Sequence, residues 1–418
     1  MGKELKVLMM GGQRVGKSSA LAAIMDSFIN GPVSSLLIAE DITEFETTDG
    51  VQQISIKKRL KDLKTMLSKS VGKTILMDSG KTFNKWDYTL QLSVPRTSKR
   101  MKITFTDING EFFEGGNIHQ EQTLELIKSY DVFIIAIDTT YMMEARKKQL
   151  VNDVINCKFN CIDSIHTFLT EIDDKDGLDA KLVIFTPIKC ERWAKTNQLE
   201  LVSDYAQEDY RTAITGLKHY KNVQIEVLPV QTIGSVVFRE HREAFLCKWT
   251  KRILLFFEKE YISKCSKLND KKVRLSDGME ISASSDMLLE DVTAVLIPNT
   301  MIVRPNAWFD VVSEQYAPHN CEQLAFHILE FMLAKVIDAQ IRKDENTNGV
   351  IRFLSQVGNG LLNIATLGLW DDLKDIFGGI SIDNMDDIIN QMYQNRLIQT
   401  HGEGIQIIKK CNFKQLKK

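Results

Sequence analysis

Residues Gly11 to Ser18 read Gly-Gly-Gln-Arg-Val-Gly-Lys-Ser and match the spacing G-x-x-x-x-G-K-[ST]. They follow an apolar run with β character, Leu5 to Met10. They open a helical pattern from Lys17 to Phe28 with Leu21, Ile24, Met25 and Phe28 on one face. A strand, a glycine-rich loop and a helix in that order make a phosphate cradle. The glycines let the backbone curl without a Cβ, so that N–H groups along Gly11, Gly12, Gln13, Arg14, Val15 and Gly16 turn inward. Lys17 reaches the β- and γ-phosphates, Ser18 is placed to ligate Mg²⁺, and Ser19 lies at the positive end of the helix. The Arg14 side chain can touch phosphate, but a solvated loop residue is the plainer reading.

A second half of the site follows the strand pattern Met101 to Thr106. Asp107-Ile108-Asn109-Gly110 puts a carboxylate at a strand end, where it can hold Mg²⁺ through water, and Gly110 can offer its N–H to a γ-phosphate. The nucleotide expected is therefore a Mg²⁺ triphosphate. Two later strand ends are candidates for the base. Lys181 to Phe185 runs into Thr186-Pro187-Ile188-Lys189-Cys190-Glu191, and Val223 to Val230 runs into Gln231-Thr232-Ile233-Gly234. Ligands of open α/β sheets bind at carboxyl ends of this kind.

The pattern between these motifs alternates strand and helix. Trp86 to Val94 and Met101 to Thr106 pair as a hairpin. Val132 to Ile137 is a buried strand, Met142 to Leu169 one long helix and Asp204 to Leu217 another. The fold class expected is α/β, a Ras-like P-loop NTPase with a six-stranded, mostly parallel sheet and helices on both faces. This domain spans 1–342, with insertions at about 31–85 and 240–317. The first insertion holds an amphipathic helix at Ile54 to Leu67. In the second, Arg239 to Tyr261 reads as helical and Lys271 to Val303 as short strand pieces. Asn320 to Ile341, apolar on nearly all sides, is the last core helix. Residues 343–418 form a small C-terminal α/β module, with helical pieces at Trp370 to Phe377 and Met385 to Gln394 before a hairpin at Leu397 to Ile408. Its order is similar to a winged helix, but Asp371, Asp372, Asp375, Asp383, Asp386 and Asp387 favour protein contact over DNA.

The succession G-x-x-x-x-G-K-S, D-x-x-G, I-K-C-E and T-I-G-S resembles the TRAFAC-clade, Ras-like GTPases. The resemblance is greatest to the bacterial double-GTPase group associated with conflict systems, and Pro318-His319-Asn320-Cys321-Glu322-Gln323 is also similar to that group. It covers roughly residues 1 to 342 and implies GTP/GDP binding, Mg²⁺ and regulated protein partners. Where those enzymes carry N-K-x-D, this chain keeps Lys189 and an acid, Glu191, and loses the asparagine. Glu191 would accept two guanine donors, and the backbone of Thr232 and Ile233 would meet guanine O6. Glu111 stands where Ras-like enzymes carry the water-orienting glutamine, so hydrolysis assisted by Lys17 and Glu111 should be slow without a partner. The switch threonine that bonds Mg²⁺ is Thr74 or Thr82, with Thr74 preferred. A non-hydrolysing scaffold and a P-loop ATPase are the alternatives.

Composition sets outer limits. The formal net charge of −2 gives no basic field for nonspecific nucleic-acid binding. No apolar run reaches the ~18 residues of a membrane span. Lys3, Glu4 and Lys6 interrupt any signal peptide. The seven cysteines and seven histidines lack metal spacing, so a cytoplasmic protein with buried thiols is expected.

Overall fold

The structure, a computed structural model, describes residues 4–35, 37–45, 47–48, 51–76, 85–93, 100–114, 125–126, 128–147, 154–170, 180–220, 223–242, 244–247, 252–255, 272–274, 280–282, 306–329 and 331–332. The C-terminal module expected at 343–418 and the alternative switch residue Thr82 lie outside these.

Continuous apolar runs form the middle of the main sheet. Its strands are β1 (Glu4–Met10), β2 (Ile38–Asp41), β3 (Trp86–Ser93), β4 (Arg100–Asp107), β5 (Val132–Asp138), β6 (Lys181–Ile188) and β7 (Val223–Val227). The spatial order is β7-β6-β5-β1-β4-β3-β2. Every residue of β5 and β6 is buried, as a parallel strand covered on both faces requires. The parallel pairs are β1/β4, β1/β5, β5/β6 and β6/β7. On β3, buried positions alternate with exposed or half-buried ones, and it pairs antiparallel with β4 from Trp86↔Asp107 to Ser93↔Arg100. The sheet has seven strands rather than the expected six. The extra one, β2, adds antiparallel to the edge of β3 from within the polar stretch read as an insertion, and its Ile38 stays exposed.

Register brings the chemistry to one end. Met9 lies beside Asp107, Met10 beside Ile135, and Asp138 beside Ile188. The loops after β1, β4, β5 and β6 therefore emerge together. The helix α1 (Lys17–Ile29) and residues 321–329, also helical, pack into one apolar cluster through Leu21, Ile24, Phe28, Leu324, Ile328 and Leu329.

The long helix expected from Met142 to Leu169 is broken. Its described parts are Thr139–Lys147, Val154–Phe159 and Ile162–Thr170. Cys161 takes φ 53°. The Asn160 side chain receives the Asp138 N–H at 2.7 Å and donates to the Asp138 carbonyl at 3.1 Å. An asparagine that satisfies its bonds on a neighbouring strand ends the helix although the apolar period continues through it. Likewise Asp204 to Leu217 divides at Tyr210 into Leu199–Asp209 and Arg211–Leu217.

Contacts divide the chain into two compact units, Met1–Lys69 with Ser79–Ser235 and Ser313–Lys418, and Ser70–Asp78 with Val236–Val312. The second contains an antiparallel sheet of Val236–Arg242, Asn306–Val311 and Thr74–Leu76, with Phe238 against Phe309. A hairpin of Ala244–Cys247 and Arg252–Leu255 follows. The helix expected at Arg239 to Tyr261 is thus strand in its described part. Cross-strand pairing of β-branched and aromatic residues outweighs a short helical period there.

Phe168 ties Ile162–Thr170 to the sheet and to the turn after β4, with its ring 6.0 Å from Phe133 and 5.9 Å from Phe113. Phe168→Ala should cost about 3–5 kcal/mol, measured as a lower chemical-denaturation midpoint. An unchanged midpoint would show that this stack carries no weight.

Candidate functional site

The loop after β1 takes the curled form that its glycines permit. Gly11 has φ 133° and Gly16 φ 113°, and a Cβ on Gly11 would lie 2.6 Å from the Ala136 carbonyl oxygen. Lys17 is buried and its ammonium donates to the carbonyls of Gly11 and Gly12, both at 2.9 Å. The helix behind it has no acid in its first turn, so its positive end faces the loop unneutralised. Val15 is buried, Gln13 and Ser19 are half-buried, and Arg14 is exposed.

Asp107 and Gly110 meet this loop directly. The Ser18 hydroxyl donates to Asp107 Oδ2 at 2.5 Å. Asp107 is 1% exposed, and its other oxygen, Oδ1, has no hydrogen-bond partner. A Cβ on Gly110 would lie 2.2 Å from the Gln13 nitrogen, so only glycine lets the two loops close together. The backbone of Glu111 begins the short helix Glu111–Glu114.

An orphaned, buried carboxylate oxygen beside a hydroxyl suits a hard divalent cation. Among the described residues no cluster of three or more His, Cys, Asp or Glu is placed to hold a metal alone. One carboxylate with phosphate oxygens and water is the usual Mg²⁺ set, and Asp107 with Ser18 fits it.

Around the residues expected to meet a base, the structure joins positions that the sequence separates. Lys189, at φ 60°, donates to Asp138 Oδ2 at 2.5 Å and to the Arg14 carbonyl at 3.2 Å. Lys189 thus links the phosphate loop to the end of β5. Asp138 was missed by sequence reasoning. The signal was available: Asp138 is an acid closing an otherwise fully apolar strand, and Asp107 likewise closes a strand. Its Oδ1 receives both the N–H and the hydroxyl of Thr140.

Glu191 is 2% exposed, and its Oε1 accepts the N–H groups of Ile233 and Gly234, both at 3.1 Å. The carboxylate expected to meet a base instead holds the loop expected to meet it, and it occupies the Ile233 amide. The opposite side of that loop is held too. Gln231 and His319 exchange two backbone bonds of 2.9 Å, Ala317 donates to the Ile233 carbonyl at 3.0 Å, and the Asn320 amide donates to the Pro229 carbonyl. The Pro318–Gln323 stretch is therefore a clamp on the 231–234 loop. Thr232 is buried within it.

Thr74 belongs to the second unit. Its hydroxyl donates to Asp310 at 2.6 Å and receives Arg239 at 2.9 Å. Its hydroxyl is occupied by these partners, both far away in sequence.

No protein-family model and no curated protein matches the chain. Among solved structures it is similar to the GTPase-like domain of Ski7 from S. cerevisiae, in a form bound to GDP and inorganic phosphate and in a form bound to GTP. Identities are 15% and 14% and TM-scores 0.29 and 0.26, over 55% of this chain in each case. The matched part spans 43% of the Ski7 chain.

Burial raises the Glu191 carboxyl above its ordinary value of 4.5, and the two amides and Lys189 offset only part of that. The folded state then holds this proton more tightly than the unfolded chain. The stability it contributes is complete below about pH 4.5 and is lost as pH rises through the folded value. Thermal melting should show wild type losing stability relative to Glu191→Gln as pH rises from 4.5 to 7. Parallel melting curves would contradict this.

Proposed function

We propose that this chain binds a Mg²⁺–GTP complex and hydrolyses it slowly, as a molecular switch for partner proteins. The supporting observation is the Ser18–Asp107 bond with its orphaned Oδ1, beside a phosphate cradle closed by Gly110. In this reading the loop from Gly11 to Ser19 holds the phosphates. Lys17 exchanges its two carbonyl partners for phosphate oxygens and neutralises their charge. Asp107 and Ser18 hold the Mg²⁺, which offsets negative charge on the triphosphate. Gly110 offers its N–H to the terminal phosphate, and Glu111, the next residue, orients or deprotonates the attacking water. Its negative charge near a triphosphate is why turnover is slow.

The base assignment changes in detail. The Lys189 stem packs on the purine, while Glu191 positions the Thr232–Ile233 loop and does not itself receive the ring donors. Order in the loop before β3, the Gly110 turn and the C-terminal region would report nucleotide state to a protein partner. Thr74 or Thr82 as the switch threonine and a role in a bacterial conflict system rest on the family resemblance alone. A second reading, a non-hydrolysing scaffold, is favoured by Glu111 and by the consumption of the Ile233 amide.

Phosphate release with Mg²⁺ separates these. GTP should be turned over with kcat/KM at least about 10-fold above ATP, and Lys17→Ala should lower it by about 100-fold or more. Equal rates for both nucleotides would refute the base assignment. Tight GTP binding without phosphate release would establish the scaffold instead.

A further inference from the structure

The helix Ile56–Ser70 carries Lys57, Lys58, Arg59, Lys61, Lys64 and Lys69 against one carboxylate, Asp62. Its apolar face is already used, with Ile56 and Leu60 in the main core and Leu67 buried. A surface-lying membrane helix needs a free apolar face, so any partner of this helix meets its lysines. Lys57, Lys58, Lys61 and Lys64 are exposed, and among the described residues none of them forms an ion pair. Lys57, Lys61 and Lys64 stack at helical spacing and line an open groove of about 470 Å³ with Thr65, Ser68 and Asp26. Asp26 is the one acid there, and it accepts the Asn30 amide at 2.7 Å. Like charges at this spacing repel, so an anionic occupant would stabilise the helix as well as bind to it.

The chain itself carries the complementary charge. Residues 371–387, outside the described residues, hold Asp371, Asp372, Asp375, Asp383, Asp386 and Asp387 against one cation, Lys374. In a chain of net charge −2, the two blocks are opposite departures from balance. The tether also fits. The Lys64 ammonium lies 5.7 Å over the Tyr316 ring, just before the helix that begins at 321. That helix carries the chain about 17 Å further to residue 332. Residues 333–370 lie between that point and the aspartates, and a chain segment of that length can extend to at most about 130 Å, so the covalent connection permits the contact. Covalent connection makes the contact intramolecular, which favours a segment of the same chain over an unlinked acidic partner.

We infer that the aspartates of 371–387 dock on the lysine row of Lys57, Lys61 and Lys64 in the same molecule. Zero-length carbodiimide coupling of the full chain, read by mass spectrometry, tests this. Mixing light and heavy-isotope protein distinguishes links within a chain from links between chains. Amide links from Lys57, Lys61 or Lys64 to 371–387 should form within one chain and fall several-fold between about 0.05 and 0.5 M salt, as screening shortens the reach of the charges. The variant Lys57→Glu/Lys61→Glu/Lys64→Glu should lose them. Adding Asp383→Lys/Asp386→Lys/Asp387→Lys should restore coupling between the two segments. Links only between chains, links from 371–387 only to other lysines, or no link in wild type would each overturn the inference.

Discussion

Asp107 is buried at the end of β4 with one oxygen bonded to Ser18 and the other without a hydrogen-bond partner. An unpaired buried carboxylate oxygen is costly. The sheet places it there because β4 lies between β1, which leads into the phosphate loop, and antiparallel β3. The Gly110 backbone then closes onto Gln13 with no room for a side chain. This end of the sheet thus brings together Lys17, Ser18, Asp107 and Gly110, the residues on which the proposed Mg²⁺–triphosphate site rests.

The neighbouring side, after β6 and β7, is built differently. It is already satisfied internally, by Lys189 on Asp138 and by Glu191 on two amides of the loop it faces. The 317–320 segment grips that loop from the other side, and the positive φ of Gly234 lies where a Cβ would meet the Ala317 carbonyl. A loop held in this way has little freedom left to lose on binding, and its backbone donors at Ile233 and Gly234 are already taken.

The curled loop from Gly11 to Ser18 was legible in the sequence because its shape is local: glycines at fixed spacing, a strand before and a helix after. The parallel strands were legible because burial on both faces demands unbroken apolar runs. What could not be read depends on distant partners. Asn160 ends a helix through bonds to Asp138, which lies in another element. Glu191 was recognisable as an acid in the loop after β6, but its direction is set by amides more than forty positions away. Thr74 finds Asp310 across a still longer separation. The strands from Val236 onward depend on pairing, and β2 is only an edge addition with weak alternation.

The most direct measurement is calorimetric binding of a non-hydrolysable GTP analogue to wild type and Asp107→Ala, each with Mg²⁺ and with a chelator. Wild type should bind at least about 10-fold tighter with Mg²⁺, and Asp107→Ala should lose that dependence while still binding the analogue in chelator. Equal wild-type affinity with and without Mg²⁺ would contradict the assignment of Asp107 and Ser18 to a Mg²⁺–triphosphate site.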